Sequence, residues 1–119
     1  MHISTLPPSL CLAPLRGVTG LVFRRTFTHH FGGFDCAVSP FLTTVAGTRI
    51  KATHLAEIAP ARNRDLPLVP QILGKSAPQL RTLLLAIRDL GYTRTDLNAG
   101  CPWPVIVRKG RGAGLLRDA

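Results

Sequence analysis

Acidic residues are scarce in this chain: six Asp and Glu stand against fifteen Lys and Arg, a formal net charge of +9. That imbalance favours a polyanionic partner, nucleic acid before an anionic membrane, over a merely soluble basic protein. Cysteine is scarce as well. Cys11, Cys36 and Cys101 are odd in number, widely separated and contain no Cys-x-x-Cys pair. Neither a disulfide framework nor a cysteine zinc site is supported, and a reducing cytosol is the natural setting. His29 and His30 are adjacent, a spacing unlike the ligand pairs of zinc sites, so no metal is expected and the pair is assigned to a helix end. No long apolar run opens the chain either, because Pro7, Pro8 and Pro14 interrupt it. Neither a signal peptide nor a membrane span is expected, which makes the location cytoplasmic by default.

What is present is a globular composition, 45% hydrophobic over 119 residues, enough for one compact domain. Leu10 to Leu15 reads as a fully buried strand of the parallel-sheet kind. Thr19 is placed to cap a helix with Leu21, Val22, Phe23 and Phe27 as its apolar stripe, ended by Gly32-Gly33. Phe34 to Val38 is a second strand. A helical stretch is expected from about Thr44 to Ile58. Leu66 to Leu73 is a third strand despite Pro67 and Pro70. Ser76 and Gln79 have capping-box spacing before a helix carrying Leu80, Leu83, Leu84, Ile87 and Leu90, stopped by Gly91. Thr93 to Asn98 is the fourth strand. The order β-α-β-α-β-α-β argues an α/β fold with a parallel sheet and helical crossovers. Units of similar length suggest a (β/α)8 barrel of the TIM type, here about its first four βα units, with ligand groups at the C-terminal strand ends.

Asp96-Leu97-Asn98-Ala99-Gly100-Cys101-Pro102 ends that fourth strand on a thiol beside a carboxamide, and Pro102 and Pro104 are expected to forbid both strand and regular helix beyond it. A lone cysteine is more often a small buried hydrophobe than a catalyst. Pro14-Leu15, Ser39, Gln71 and Asn98 with Cys101 all fall at or near strand ends, so four strands aim distinctive residues at one face. Gln71 reads either as a hydrogen-bonded core amide or as a ligand contact. The tail Arg108-Lys109-Gly110-Arg111-Gly112-Ala113-Gly114 is neither a dinucleotide fingerprint nor a P-loop. It reads either as a flexible solvated loop or as a phosphate-neutralising segment for a single-stranded or flipped nucleotide, with Trp103 as a stacking surface.

Four segments in this order resemble the tRNA-dihydrouridine synthases: Leu12-Ala13-Pro14-Leu15-Arg16-Gly17-Val18-Thr19, Val69-Pro70-Gln71-Ile72, Asp96 to Pro102, and Gly110 to Leu116. The resemblance covers about Leu10 to Leu116. It implies a flavin enzyme in which FMN, reduced by NADPH, delivers a hydride to C6 of a uridine in tRNA. Cys101 matches the residue that gives the proton to C5. Pro14 and Leu15 would meet the flavin through the backbone, Gln71 its isoalloxazine edge, and Asn98 both the flavin and the target uracil. Arg108, Lys109 and Arg111 would meet tRNA phosphate or the flipped nucleotide. Pro40 stands where many members carry Glu, and Trp103-Pro104 follows Cys-Pro, departures that point to a divergent branch. Residues 1–119 would be the N-terminal half of the FMN-binding barrel, without its C-terminal half or the helical tRNA-binding domain, and so inactive and poor at binding FMN alone. The alternatives are a catalytically dead RNA-binding or interaction remnant and another FMN-barrel oxidoreductase acting on a free pyrimidine.

Overall fold

Short parallel strands alternate with helices in the computed structural model, which describes residues 8–118. In chain order the elements are β1 (Cys11–Leu12), α1 (Leu21–His30), β2 (Cys36–Val38), β3 (Thr44–Val45), β4 (Arg49–Ile50), α2 (Ala52–Glu57), a 3-10 turn (Pro60–Arg62), β5 (Leu68–Val69), β6 (Gln71–Ile72), α3 (Ala77–Asp89), β7 (Asp96–Leu97), α4 (Pro104–Arg108) and a 3-10 segment (Gly112–Asp118). β1, β2 and β5 pair in parallel in that order, with Cys11 opposite Cys36 and Ala37 opposite Leu68. β6 pairs in parallel with β7, Gln71 opposite Asp96.

Pro70 is why β5 and β6 are two strands. It has no N–H to donate, and the pairing changes partner across it. Val69 O accepts from Ser39 N (3.0 Å) on the β2 side, while Pro70 O accepts from Asp96 N (2.9 Å) on the β7 side. The missing donor falls before the β7 ladder begins, so a buried proline is tolerated here. Leu42 rejoins the line by bridging to Ile72 in parallel.

Several expectations are corrected. The stretch Thr44 to Ile58 is not one helix: β3 and β4 form an antiparallel hairpin, and only Ala52–Glu57 is helical. Thr43, Thr44 and Val45 are β-branched, and Ala46 and Gly47 both take positive φ (47° and 87°), as a tight hairpin turn requires. The first strand is an exposed edge, with Leu10 and Leu15 more than half exposed, instead of a buried one. Gly20, not Thr19, is the N-cap of α1. Thr19 Oγ1 instead accepts from Leu15 N (2.8 Å) and closes the Leu15–Thr19 turn. Ser76 is the N-cap of α3 but makes no side-chain cap bond; Pro78 in the first turn removes one of the N–H groups a cap would satisfy. Pro104 does not forbid a helix either. It starts α4, where its fixed φ and missing N–H cost nothing.

The core joins Leu42, Ile58, Ile72, Leu83 and Ile87, so α3 packs its Leu83/Ile87 stripe over the third strand line. Gly32 and Gly33 end α1 at φ 63° and 92°, and His29 and His30 are its last residues, as the sequence suggests. Val22, by contrast, is exposed, and the aromatic members of the stripe stack on one another: Phe27 meets Phe23, Phe31 and Phe34. No helix among the described residues is long and apolar enough to cross a membrane.

Candidate active site

The loops that follow β1, β2 and β7 enclose a cleft of about 830 Å³, within the size range of small-molecule sites. Pro14, Leu15 and Arg16 form one wall and Pro40 and Phe41 a second. Gln71, Asp96 and Asn98 line it, and Cys101 and Trp103 stand at the β7 side. All five residues assigned to catalysis or cofactor binding from the sequence — Pro14, Leu15, Gln71, Asn98 and Cys101 — therefore line one cleft. Trp103, 66% exposed, offers it an aromatic face.

The polar groups form one chain. Gln71 Nε2 donates to Asp96 Oδ2 (2.7 Å), and Asn98 Nδ2 donates to Gln71 Oε1 (3.1 Å). Asn98 Oδ1 then accepts from Gly100 N (3.1 Å) and Cys101 N (2.9 Å). The carboxylate at one end fixes which way each amide points, because only an N–H can face Asp96. Every side chain from Asp96 to the Cys101 loop is thus oriented by the one before it, while each amide keeps unused hydrogen-bonding capacity. Below them, Gln71 N donates to Ser39 Oγ (3.0 Å). Ser39 is fully buried, so it supports Gln71 and is not itself a ligand residue as its strand-end position had suggested.

Cys101 is held from both sides, since its carbonyl also accepts from Ala113 N (3.0 Å). The glycine tail is consequently packed and not a flexible solvated loop. Gly112 takes φ 57°, and a Cβ there would lie 2.7 Å from Cys101 O and 2.9 Å from Cys101 Cβ; at Gly114 it would meet Val107 O at 2.6 Å. These glycines serve close approach to the cysteine loop. Gly112→Ala is expected to cost roughly 1–3 kcal/mol in chemical denaturation, because the backbone of Cys101 must move to admit the methyl.

Of the three cations assigned to RNA, the structure brings none into the cleft lining. Arg108 and Lys109 are exposed, and Arg108 Nε donates to its own helix at Pro104 O (3.3 Å). Arg111 turns inward, its Nη1 donating to Thr43 Oγ1 (3.1 Å). The residues that sequence reasoning missed are Asp96, Phe41 and Arg16. Asp96 sits in a recognised motif yet has no signal of its own, since its role needs Gln71 on the neighbouring strand. Arg16 lies over the Phe41 ring, 5.1 Å from its centroid, a pairing between loops far apart in sequence.

The other thiols are elsewhere. Cys11 is an exposed edge-strand residue whose thiol is pushed up to about 11, by burial of the sulfur first and then by the neighbouring Cys36 thiol. His54, beside the Thr43 backbone, is lowered from 6.5, chiefly by burial and also by the charges of Lys51 and Arg16. No group of three His, Cys, Asp or Glu side chains among the described residues could hold a metal ion.

A thiol and paired carboxamides thus gather in one cleft beside the ends of parallel strands, the place where α/β enzymes carry their ligand groups. The dihydrouridine synthase (Dus) family profile matches residues 11–119. A probable tRNA-dihydrouridine synthase of Staphylococcus epidermidis is 34% identical over 95% of this chain and 35% of its own length. The tRNA-dihydrouridine(16) synthase of Neisseria meningitidis is 32% identical over 92% of this chain and 34% of its own, and a probable tRNA-dihydrouridine synthase of Staphylococcus aureus is 32% identical over 95% and 35%. The chain belongs to the dihydrouridine synthase family, a family of TIM-barrel enzymes. It spans about a third of the length of these relatives. No solved structure matches it.

Proposed function

We propose that this chain supplies the thiol side of a site that reduces the C5–C6 double bond of a uridine in tRNA. The observation that carries the reading is the single cleft gathering Cys101, Asn98, Gln71, Pro14 and Leu15, in a chain whose relatives are named for that product. We read residues 1–119 as the first four βα units of the catalytic barrel. With tRNA as substrate, the cytoplasm is the location we expect.

The lining supports a flavin. Pro14, Leu15, Phe41, Leu97 and Ile106 offer apolar contact to a flat ring, and the spare hydrogen-bonding capacity of Gln71 and Asn98 suits its polar edge. Pro14, Leu15, Gln71 and Asn98 would hold FMN there, and the flavin, reduced by NADPH, would supply the hydride for C6. The chain's own residues do the rest. The Cys101 Sγ–H gives its proton to C5, and the thiolate left behind is reprotonated from solvent. Asn98, locked by Gln71 and by the Cys101 and Gly100 amides, orients the uracil edge, and Trp103 stacks on the exposed base or its neighbour. Among the described residues Arg16 is the only cation lining the cleft, so residues 1–119 alone are expected to hold the cofactor's phosphate poorly, to bind FMN weakly and not to turn over.

The test is direct. The natural polypeptide, incubated with NADPH and an unmodified tRNA transcript, yields dihydrouridine, and the isolated residues 1–119 yield none. Dihydrouridine made by residues 1–119 alone would overturn the half-site reading; none made by the natural polypeptide on any tRNA would overturn the activity.

A further inference from the structure

The polar chain in the cleft has one member to which the reading above gives no part in the reaction, the carboxylate of Asp96. Asp96 and Asn98 stand two residues apart on one strand line, so they share a face of the sheet. Asn98 N donates to Ile72 O (3.0 Å), which carries the ladder one residue beyond β7. Gln71 is the register partner of Asp96 on β6, and its carboxamide bonds to both side chains, at 2.7 Å to Asp96 and 3.1 Å to Asn98. Neither strand alone carries this triad; the pairing of β6 with β7 makes it.

Three features separate Asp96 from an ordinary half-buried acid. First, its partner is an amide and not a cation: the ion pairs among the described residues are Arg24–Glu57 and Arg88–Asp89. Second, Gln71 is only 7% exposed, so water does not readily replace the acceptor that Asp96 gives it. Third, a carboxylate accepts and never donates, so it admits Gln71 in one orientation alone. Asn98 needs that orientation. Both lone pairs of its Oδ1 are taken by the N–H groups of Gly100 and Cys101, which leaves its Nδ2 to find an acceptor in Gln71 Oε1. A turned Gln71 would set two amide NH2 groups against each other, and Asn98 could answer only by releasing the Cys101 N–H.

We propose that Asp96 is a positioning residue for the Cys101 thiol, acting through Gln71 and Asn98 to hold the turn that presents it. Asp96 itself meets no reacting atom. It keeps Gln71 Oε1 toward Asn98, and Asn98 Oδ1 thereby stays on the Gly100 and Cys101 amides. The Ala113 N–H holds the same cysteine at its carbonyl, so the turn is fixed from two segments at once. A thiol that must reach one carbon of a bound base is sensitive to displacements of about 1 Å. The inference rests on the reading of the cleft as a uridine-reducing site.

The experiment compares Asp96→Leu with Asp96→Asn in the natural polypeptide, each checked by a thermal melt. Leucine cannot accept a hydrogen bond, whereas asparagine keeps an oxygen for Gln71 Nε2. The readouts are kcat and KM for a tRNA transcript at saturating FMN, and the rate at which iodoacetamide alkylates Cys101, followed by peptide mass spectrometry. Asp96→Leu is expected to lower kcat about 10- to 100-fold with KM for tRNA unchanged, and to alter the alkylation rate. Asp96→Asn is expected to return both to the parent's values. Parental kcat in the leucine variant overturns the role. So do equal losses in the two variants, which would make the charge and not the accepted bond decisive, and a deficit that excess FMN repairs, which would assign Asp96 to cofactor retention. If the parent makes no dihydrouridine, the alkylation rates decide alone. A change with leucine but not asparagine then upholds the positioning and discards the uridine-reducing reading, whereas equal rates in all three proteins discard both.

Discussion

Cys101→Ala is expected to abolish the proposed uridine reduction in the natural polypeptide while leaving flavin bound. The expected fall in turnover is about 10²–10⁴-fold, the range for removing a positioned proton donor. Flavin absorbance is expected to persist because the cofactor-facing groups reach Cys101 only through its main chain. Asn98 Oδ1 accepts from the Cys101 N–H and Ala113 N donates to its carbonyl, and alanine keeps both bonds. The side chain is half-buried at the cleft wall, so its loss opens little space. Cys101→Ser separates proton donation from packing: a hydroxyl keeps the volume but is a far weaker acid, so turnover should stay low. Full activity in either variant would remove the thiol from the chemistry.

The second large effect lies outside the cleft. Arg24→Met is expected to cost about 3–5 kcal/mol, a large share of the roughly 5–15 kcal/mol of a typical domain. Arg24 is 3% exposed and donates to Thr19 O (3.0 Å), Glu57 Oε1 (2.9 Å), Glu57 O (3.1 Å) and Asn63 Oδ1 (2.8 Å). Methionine fills the volume but strands the Glu57 carboxylate and removes a donor from Thr19 O and Asn63 Oδ1, while Glu57 O keeps its bond from Asn63 Nδ2 (3.1 Å). Glu57 is 31% exposed and recovers some solvation, which places the expectation at the lower end of the range. The double variant Arg24→Met/Glu57→Gln should regain part of the loss in urea denaturation. A loss under about 1 kcal/mol would mean that the pair behaves like a surface ion pair. The effect also reaches the site: Arg24 holds Thr19 O, and Thr19 Oγ1 holds the turn that presents Leu15 and Arg16.

Arg24 also shows where the sequence stops being legible. Counted as charge, it is one of fifteen cations inviting a polyanion; in the fold it is interior, because Glu57 and Asn63 approach it from thirty-three and thirty-nine residues away. Helix α1 was bounded by Gly32-Gly33, although Val22 of its expected stripe is exposed; helix α3 was readable because burial of Leu83 and Ile87 imposes its apolar period locally. The segment Thr44 to Ile58 was not, since a three-residue turn through Ala46 at positive φ carries no strong signal without a glycine in that place. The cleft residues Pro14, Gln71, Asn98 and Cys101 were legible as strand-end residues that a parallel sheet must bring to one side. Asp96, Phe41 and Arg16 were not, because each acquires its role from a partner on another loop. Gly112 lies in a tail read either as a flexible loop or as a phosphate-neutralising segment, and neither reading foretells that its missing Cβ makes room for Cys101. Steric need of that kind exists only once two distant segments touch.

The central claim is that a uracil of tRNA meets Cys101 in this cleft and leaves it with two added hydrogens. Nucleoside mass spectrometry of tRNA from source cells lacking the gene tests it most directly. The account predicts that dihydrouridine disappears from at least one tRNA position, returns with the intact gene, and does not return with Cys101→Ala. Unchanged dihydrouridine at every position in the deletion strain, or full restoration by Cys101→Ala, would contradict it.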